Sequence, residues 1–91
     1  MNQAARFPLG TLYATPGVIE AVPHFEVMLA LARHVRGDWG EVCDEDRAEN
    51  DFAVDKHLRI LSAYTAENGT RFWIITEADR SSTTLLLPDE Y

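Results

Sequence analysis

Cysteine is almost missing from this chain. Cys43 stands alone among 91 residues, which excludes an internal disulfide framework and any multi-cysteine zinc site. Long apolar runs are missing too. Val27–Ala32 is the longest, and it and Leu85–Leu87 fall far short of the roughly 20 residues a bilayer requires. Met1–Gly10 has neither the basic start nor the apolar stretch of a signal peptide. The expectation is therefore a soluble, cytoplasmic protein with no membrane association. Basic residues are few, eight against fifteen acids, for a net charge of −7. A phosphate backbone is repelled by that average, so direct nucleic-acid binding is not expected. Catalytic signatures are absent as well: no HxxH or HExxH spacing, no nucleophile elbow and no phosphate-cradling glycine loop. No catalytic residue, metal site or cofactor is assigned on this basis.

What is present is ordinary globular material: 46% hydrophobic and 25% charged residues, with no repeat, low-complexity tract or linker-like stretch. At this length a domain buries about 60–65% of its unfolded surface, enough for one core. Residues 1–91 thus read as one domain, with Met1–Arg6 prone to fray.

Phe7–Ala14, with Leu9, Leu12 and Tyr13, reads as a short strand, and Gly10 marks a bulge. Thr15-Pro16 is a helix start, opening a turn through Val18–Val22 that Pro23 interrupts. Phe25, Met28, Leu29, Ala32 and Val35 then recur at helical spacing and form one apolar stripe. Arg33 and Arg36 suit the end of that helix, and Gly37 suits its cap. A second helix begins at Cys43 or Asp44 and runs to about His57, with acids in its first turn and a thin apolar face of Ala48, Phe52 and Val54.

The period then changes. Leu58–Thr65 and Arg71–Ala78 are rich in β-branched and aromatic residues and flank Asn68-Gly69, the strongest short hairpin signal. A two-residue turn there pairs Thr65 with Phe72, Tyr64 with Trp73, Ser62 with Ile75 and Leu61 with Thr76. A further turn at Asp79–Ser81 leads to a last strand, Ser82–Leu87, stopped by Pro88. The expected fold is α+β, in the order β-α-α-β-β-β. A three-stranded antiparallel C-terminal meander carries helices on one face, and the N-terminal strand can extend an edge.

Four places can carry function. Glu77, Asp79 and Arg80 lie in a hydroxyl-rich turn that can grip a small polar ligand or pair two acids for proton transfer. Its plainer reading is a solvated turn bonding its own backbone. Trp39, beside His34 and Arg36, can be an exposed partner-binding anchor or can close the core. Asp38–Asp55 holds eight of the fifteen acids (Asp38, Glu41, Asp44, Glu45, Asp46, Glu49, Asp51 and Asp55) against Arg47 alone. Such a cluster can imitate the phosphate track of DNA and occupy a basic cleft on a protein partner, or it can be a solvated helix face. Finally, His24, His34 and His57 lack ligand spacing, so a metal site would need the fold to assemble it, for example from His57 and Glu77. The acids around Cys43 disfavour a reactive thiolate.

From His34 onward, Arg36-Gly37-Asp38-Trp39-Gly40, Glu45-Asp46-Arg47 with Asn50-Asp51, Leu61-Ser62-Ala63-Tyr64, the run Trp73–Leu87 (WIITEADRSSTTLLL) and the closing Pro88-Asp89-Glu90-Tyr91 resemble a family of small proteins. Its members are encoded on bacterial plasmids, integrative elements and phages. They are labelled plasmid-related or, loosely, after the methylation subunit of type I restriction enzymes. The resemblance covers about two thirds of the chain and brings no catalytic or binding residues with it. A methyltransferase is excluded regardless, because 91 residues without a glycine-rich nucleotide loop cannot build that domain. What the resemblance implies is an origin on mobile DNA, where small acidic proteins interfere with host defence. The leading expectation is a non-enzymatic module that binds a protein partner, as an inhibitor of CRISPR or restriction systems. A ligand-binding or enzymatic role of the Glu77/Asp79/Arg80 turn is the alternative. Self-association, as a homodimer through an open sheet edge or the Trp73 face, is the third reading.

Overall fold

Strands flank a helical middle in the computed structural model, which describes residues 4–91. β1 (Thr11–Ala14), α1 (Pro16–Ala21), α2 (His24–Val35) and α3 (Asp44–Lys56) precede β2 (Ile60–Thr65), β3 (Arg71–Thr76) and β4 (Ser82–Leu86), and a 3-10 turn, Pro88–Glu90, follows. The class is α+β, as expected. The sheet order is β1-β4-β3-β2, so the meander β2-β3-β4 is antiparallel and β1 extends its edge by pairing with β4 in parallel. The first strand is shorter than Phe7–Ala14, because Phe7 turns into the core and Gly10 takes a positive φ of 67°. Residues 1–3 lie outside the described residues. Arg6 is tied down, its N–H donating to Val35 O at 2.8 Å and its guanidinium to Asp51 at 3.1 Å.

The hairpin forms where Asn68-Gly69 predicts it, but the register is one residue away from the expected one. Tyr64 faces Phe72, Ser62 faces Ile74 and Leu61 faces Ile75. The cause is the turn. Gly69 N–H donates to Ala66 O at 2.9 Å and Ala66 N–H to Thr70 O at 2.8 Å, and only Gly69 of the pair takes a positive φ, at 90°. This is the longer connection, a turn followed by a glycine bulge. Asn68 is held out of the left-handed region by its own side chain, which donates to Ala21 O at 2.8 Å and accepts from Thr70 N–H at 3.0 Å. A slip of one residue exchanges faces. Phe72 therefore joins Tyr64 beneath the helices, and Trp73 goes to the opposite face with Ala63, against Tyr91 at 5.7 Å between ring centroids.

Thr15 caps α1 as its sequence implies, accepting from Val18 N–H at 3.3 Å. α2 presents a different side to the sheet from the one its strongest stripe suggests. Ala30, Leu31 and His34 are buried, with Val27 partly so, while Phe25, Met28 and Leu29 stand in solvent. α2 is apolar over most of its circumference, so periodicity alone does not choose a face. The buried hydroxyls of Ser62 and Thr76 choose it, because only the side bearing His34 satisfies them. α3 likewise packs through Asn50 and Ala53 rather than Ala48 and Phe52. The Asn50 amide both donates to Leu61 O at 2.8 Å and accepts from Leu61 N–H at 3.2 Å.

Two apolar clusters result. One joins α1 and α2 to the sheet through Val18, Leu31, Tyr64, Phe72, Ile74 and Leu85. The other gathers Phe7, Trp39, Ala53 and Ile60 under α3. Among the described residues no helix is long and apolar enough to cross a membrane.

Candidate functional site

His34 lies between the two clusters, fully buried, its ring edge-on to Phe7 at 5.3 Å and to Trp39 at 5.8 Å. Its Nδ1 is 2.6 Å from Ser62 Oγ and its Nε2 is 2.9 Å from Thr76 Oγ1. Thr76 Oγ1 is 2.7 Å from Thr83 Oγ1, which donates to Leu9 O at 2.7 Å. A carbonyl can only accept, and that fixes the direction of the whole chain. Thr83 spends its proton on Leu9, so Thr76 donates to Thr83. His34 Nε2–H then donates to Thr76, and Ser62 donates to Nδ1. Burial pushes the His34 pKa down to about 3. Although Ser62 and His34 are in contact, every member from Ser62 to Thr83 has zero exposure, so no substrate reaches the pair. The chain is architecture: it stitches β2, β3, β4 and the Leu9 segment to α2.

The turn between β3 and β4 sends its three candidate residues in three directions. Glu77 pairs with Arg59 at 3.1 Å. Asp79 stands in solvent, where the Ser81 hydroxyl and then the Ser81 N–H, at 3.0 Å, hold its carboxyl below the usual range. Arg80 adopts a left-handed φ of 61° and points inward. Its guanidinium donates to Leu58 O at 2.7 Å, Ala53 O at 2.8 Å and Glu77 O at 3.1 Å, with its carbon 5.6 Å from the Phe7 ring centre. Partial burial pulls its pKa down, and three carbonyls retain the charge. The conspicuous TEADRSSTT segment therefore supplies Thr76, Arg80 and Thr83 to the interior, and its acids do not converge.

The acidic segment divides in the same manner. Trp39 is 1% exposed and closes the core, so it is not the exposed anchor that its neighbours suggest. Its Nε1 donates to Asp51 Oδ1 at 3.0 Å, and the same oxygen takes Arg6. Asp38 accepts two bonds from Arg33, at 2.8 and 3.1 Å, which lower its pKa. The Asp38 carbonyl accepts from Tyr64 Oη at 2.7 Å, and burial pushes that phenol up to about 12. Glu41 accepts from Thr65 at 2.8 Å. Asp38 and Asp51 thus serve the fold, while the outer face of α3 displays Asp44, Glu45, Asp46 and Glu49. Of these, only Asp44 meets a cation, Arg47 at 3.8 Å, among the described residues.

Beside that face lies an open groove of about 520 Å³ between α3 and β2, walled by Asp46, Glu49, Phe52, Leu58, Arg59 and Leu61. Phe52 and Leu58 are exposed in it. Sequence reasoning assigned Phe52 to the core. The signal against that was available, since the thin apolar face of α3 cannot bury both Ala53 and Phe52, one residue apart. A second groove of about 360 Å³ runs between β1, α1 and α2, lined by Leu12, Tyr13, Val18, Ile19, Met28 and Leu31 among others. Cys43 is exposed and precedes α3, and His57 ends it with a left-handed φ of 57°. No group of three or more His, Cys, Asp or Glu able to hold a metal occurs among the described residues. No protein-family model, curated protein or solved structure matches the chain.

Proposed function

We propose that this chain is a non-enzymatic protein-binding module of a mobile genetic element, an inhibitor of a host defence nuclease, and that α3 is its contact. The single observation that carries this is Glu45, Asp46 and Glu49, without a cation partner among the described residues, on one helix face and bordered by exposed Phe52 and Leu58. Acids alone are a solvated face. Acids beside exposed apolar side chains give a partner both long-range steering and area to bury. The complementary surface is basic with an apolar centre, as in a cleft that ordinarily receives a phosphate backbone. The resemblance of His34 onward to proteins of plasmids and phages supports the biological setting.

The test is capture from host lysate by the wild-type chain and by the variant Glu45→Lys/Asp46→Lys/Glu49→Lys, followed by mass spectrometry. A partner held by the first and not the second, released by rising salt and displaced by duplex DNA, is the expected result. Equal recovery on both baits would remove α3 as the contact. Glu45→Lys and Asp46→Lys put cations in the first turn of α3, where each costs about 0.3–1 kcal/mol, so circular dichroism of the variant must first show a folded chain before lost capture is read as a lost contact.

A further inference from the structure

We propose that two copies of this chain join through β1, antiparallel about a twofold axis at Tyr13, to make one eight-stranded sheet. The two edges of the sheet are finished differently. At the β2 edge the outward backbone groups of Leu61 and Ala63 are taken. The Asn50 amide occupies both groups of Leu61, at 2.8 and 3.2 Å, while Ala63 N–H donates to Trp39 O at 3.2 Å and Ala63 O accepts from Glu41 N–H at 2.7 Å. At the other edge nothing comparable covers β1 among the described residues. Thr11 N–H donates to Ser81 O and Thr15 N–H to Leu85 O, both at 3.0 Å, so the odd residues bond β4. The N–H and C=O groups of Leu12 and Ala14 consequently point away from the sheet, and all four residues of β1 are exposed. An open edge of this kind is a template for another strand.

The register is self-complementary. With Tyr13 on the axis, Leu12 of each copy lies opposite Ala14 of the other, and each such pair exchanges two hydrogen bonds. Charge selects a second copy over a charged peptide. Residues 11–32 carry no lysine or arginine, one histidine (His24) and only two acids, Glu20 and Glu26, and Glu90 accepts from Thr15 at 2.6 Å, whereas eight acids lie in Asp38–Asp55, next to the opposite edge. Pairing through β1 puts the two α3 helices at far ends of the joined sheet, where their like charges are screened from one another. The edge also has apolar area to offer. Leu12, Tyr13, Ile19 and Met28 are 49%, 56%, 68% and 51% exposed around the groove beside β1. At about 200 Å² per fully exposed residue they present about 450 Å², to which the groove walls add, against about 800 Å² per partner in a standard interface.

The experiment is sedimentation equilibrium of the full chain from micromolar to millimolar concentration, with amide hydrogen exchange on the same samples. The expected mass is twice the 10.3 kDa of one chain, with the Leu12 and Ala14 amides protected in the dimer. Ala14→Pro removes an outward N–H that β4 does not use, and Ile19→Glu charges the exposed patch. Both should give folded monomers by circular dichroism, while the triple lysine variant of α3 should stay dimeric. Should Ala14→Pro fail to fold, Ile19→Glu alone decides. A single-chain mass at every concentration, a dimer that survives Ile19→Glu, or unprotected Leu12 and Ala14 amides in a dimer would each overturn the proposal. The outcome is independent of whether α3 binds a defence nuclease.

Discussion

Protonating His34 means reversing a hydrogen bond that has nowhere else to turn. Nδ1 accepts from Ser62, and a proton placed there has to displace the Ser62 proton into a dry interior walled by Phe7 and Trp39. The folded pKa of about 3 lies below the ordinary 6.5, so between those values the unfolded chain binds a proton that the folded chain refuses. Stability is therefore complete above about pH 6.5 and falls as pH drops towards 3, by up to about 1.4 kcal/mol per unit. Asp38, held low by Arg33, loses its contribution in the same direction at lower pH. Urea unfolding of wild type and His34→Phe checks this. The variant should lose about 2–4 kcal/mol at neutral pH, since it orphans Ser62 and Thr76, and its slope between pH 6.5 and 4.5 should be flatter. Arg80→Lys is expected to cost about 1–3 kcal/mol, because one ammonium cannot reach the carbonyls of Leu58, Ala53 and Glu77 together. A loss below 0.5 kcal/mol in denaturant would show the fork to be dispensable. None of these inner roles was legible in the residues. A serine, a histidine and two threonines far apart in the chain look like surface until a helix and a sheet bring them to one point.

At the scale of elements, caps and turn residues announce themselves while faces do not. Thr15-Pro16, Gly37 and Asn68-Gly69 act locally, through dihedral preference and the nearest backbone donors, and each works where its chemistry says it should. Gly69→Ala should cost about 1 kcal/mol from its positive φ alone, since open space surrounds it. Gly40→Ala should cost more. Its φ is also positive, at 75°, and a Cβ there would run into the Ala63 carbonyl and lift the cover from the β2 edge. Comparing the two by thermal unfolding separates backbone strain from lost edge protection. If both fall equally, the edge cover adds nothing to stability. The hairpin register and the packed side of α2 escaped sequence reasoning because both depend on distant partners. Ala21 O draws Asn68 out of the two-residue turn, and Ser62 with Thr76 draws His34, and so α2, round to the sheet.

Over the whole molecule, charge is segregated along the sheet, with the eight acids of Asp38–Asp55 beside β2 and fewer beside β1, where Glu90 accepts from Thr15 at 2.6 Å. The ion pairs found among the described residues are surface pairs, each worth about 0–1 kcal/mol, so they do not offset a net charge of −7. Salt screens the self-repulsion more than it weakens those pairs. Raising it from low to moderate strength should lift the melting temperature by about 2–4 °C, the equivalent of about 0.5 kcal/mol in a domain of this size. A fall on calorimetry would mean that the pairs outweigh the repulsion. Composition, period and turn chemistry determined the α+β class, the C-terminal meander and the acidic stretch, because each of these is a local or a summed property of the residues. Which apolar stripe is buried, which acids are neutralised, that Trp39 lies inside and that one sheet edge stays open were decided only by tertiary structure. They depend on which residues, far apart in the chain, compete for the same interior volume and the same hydrogen-bond partners.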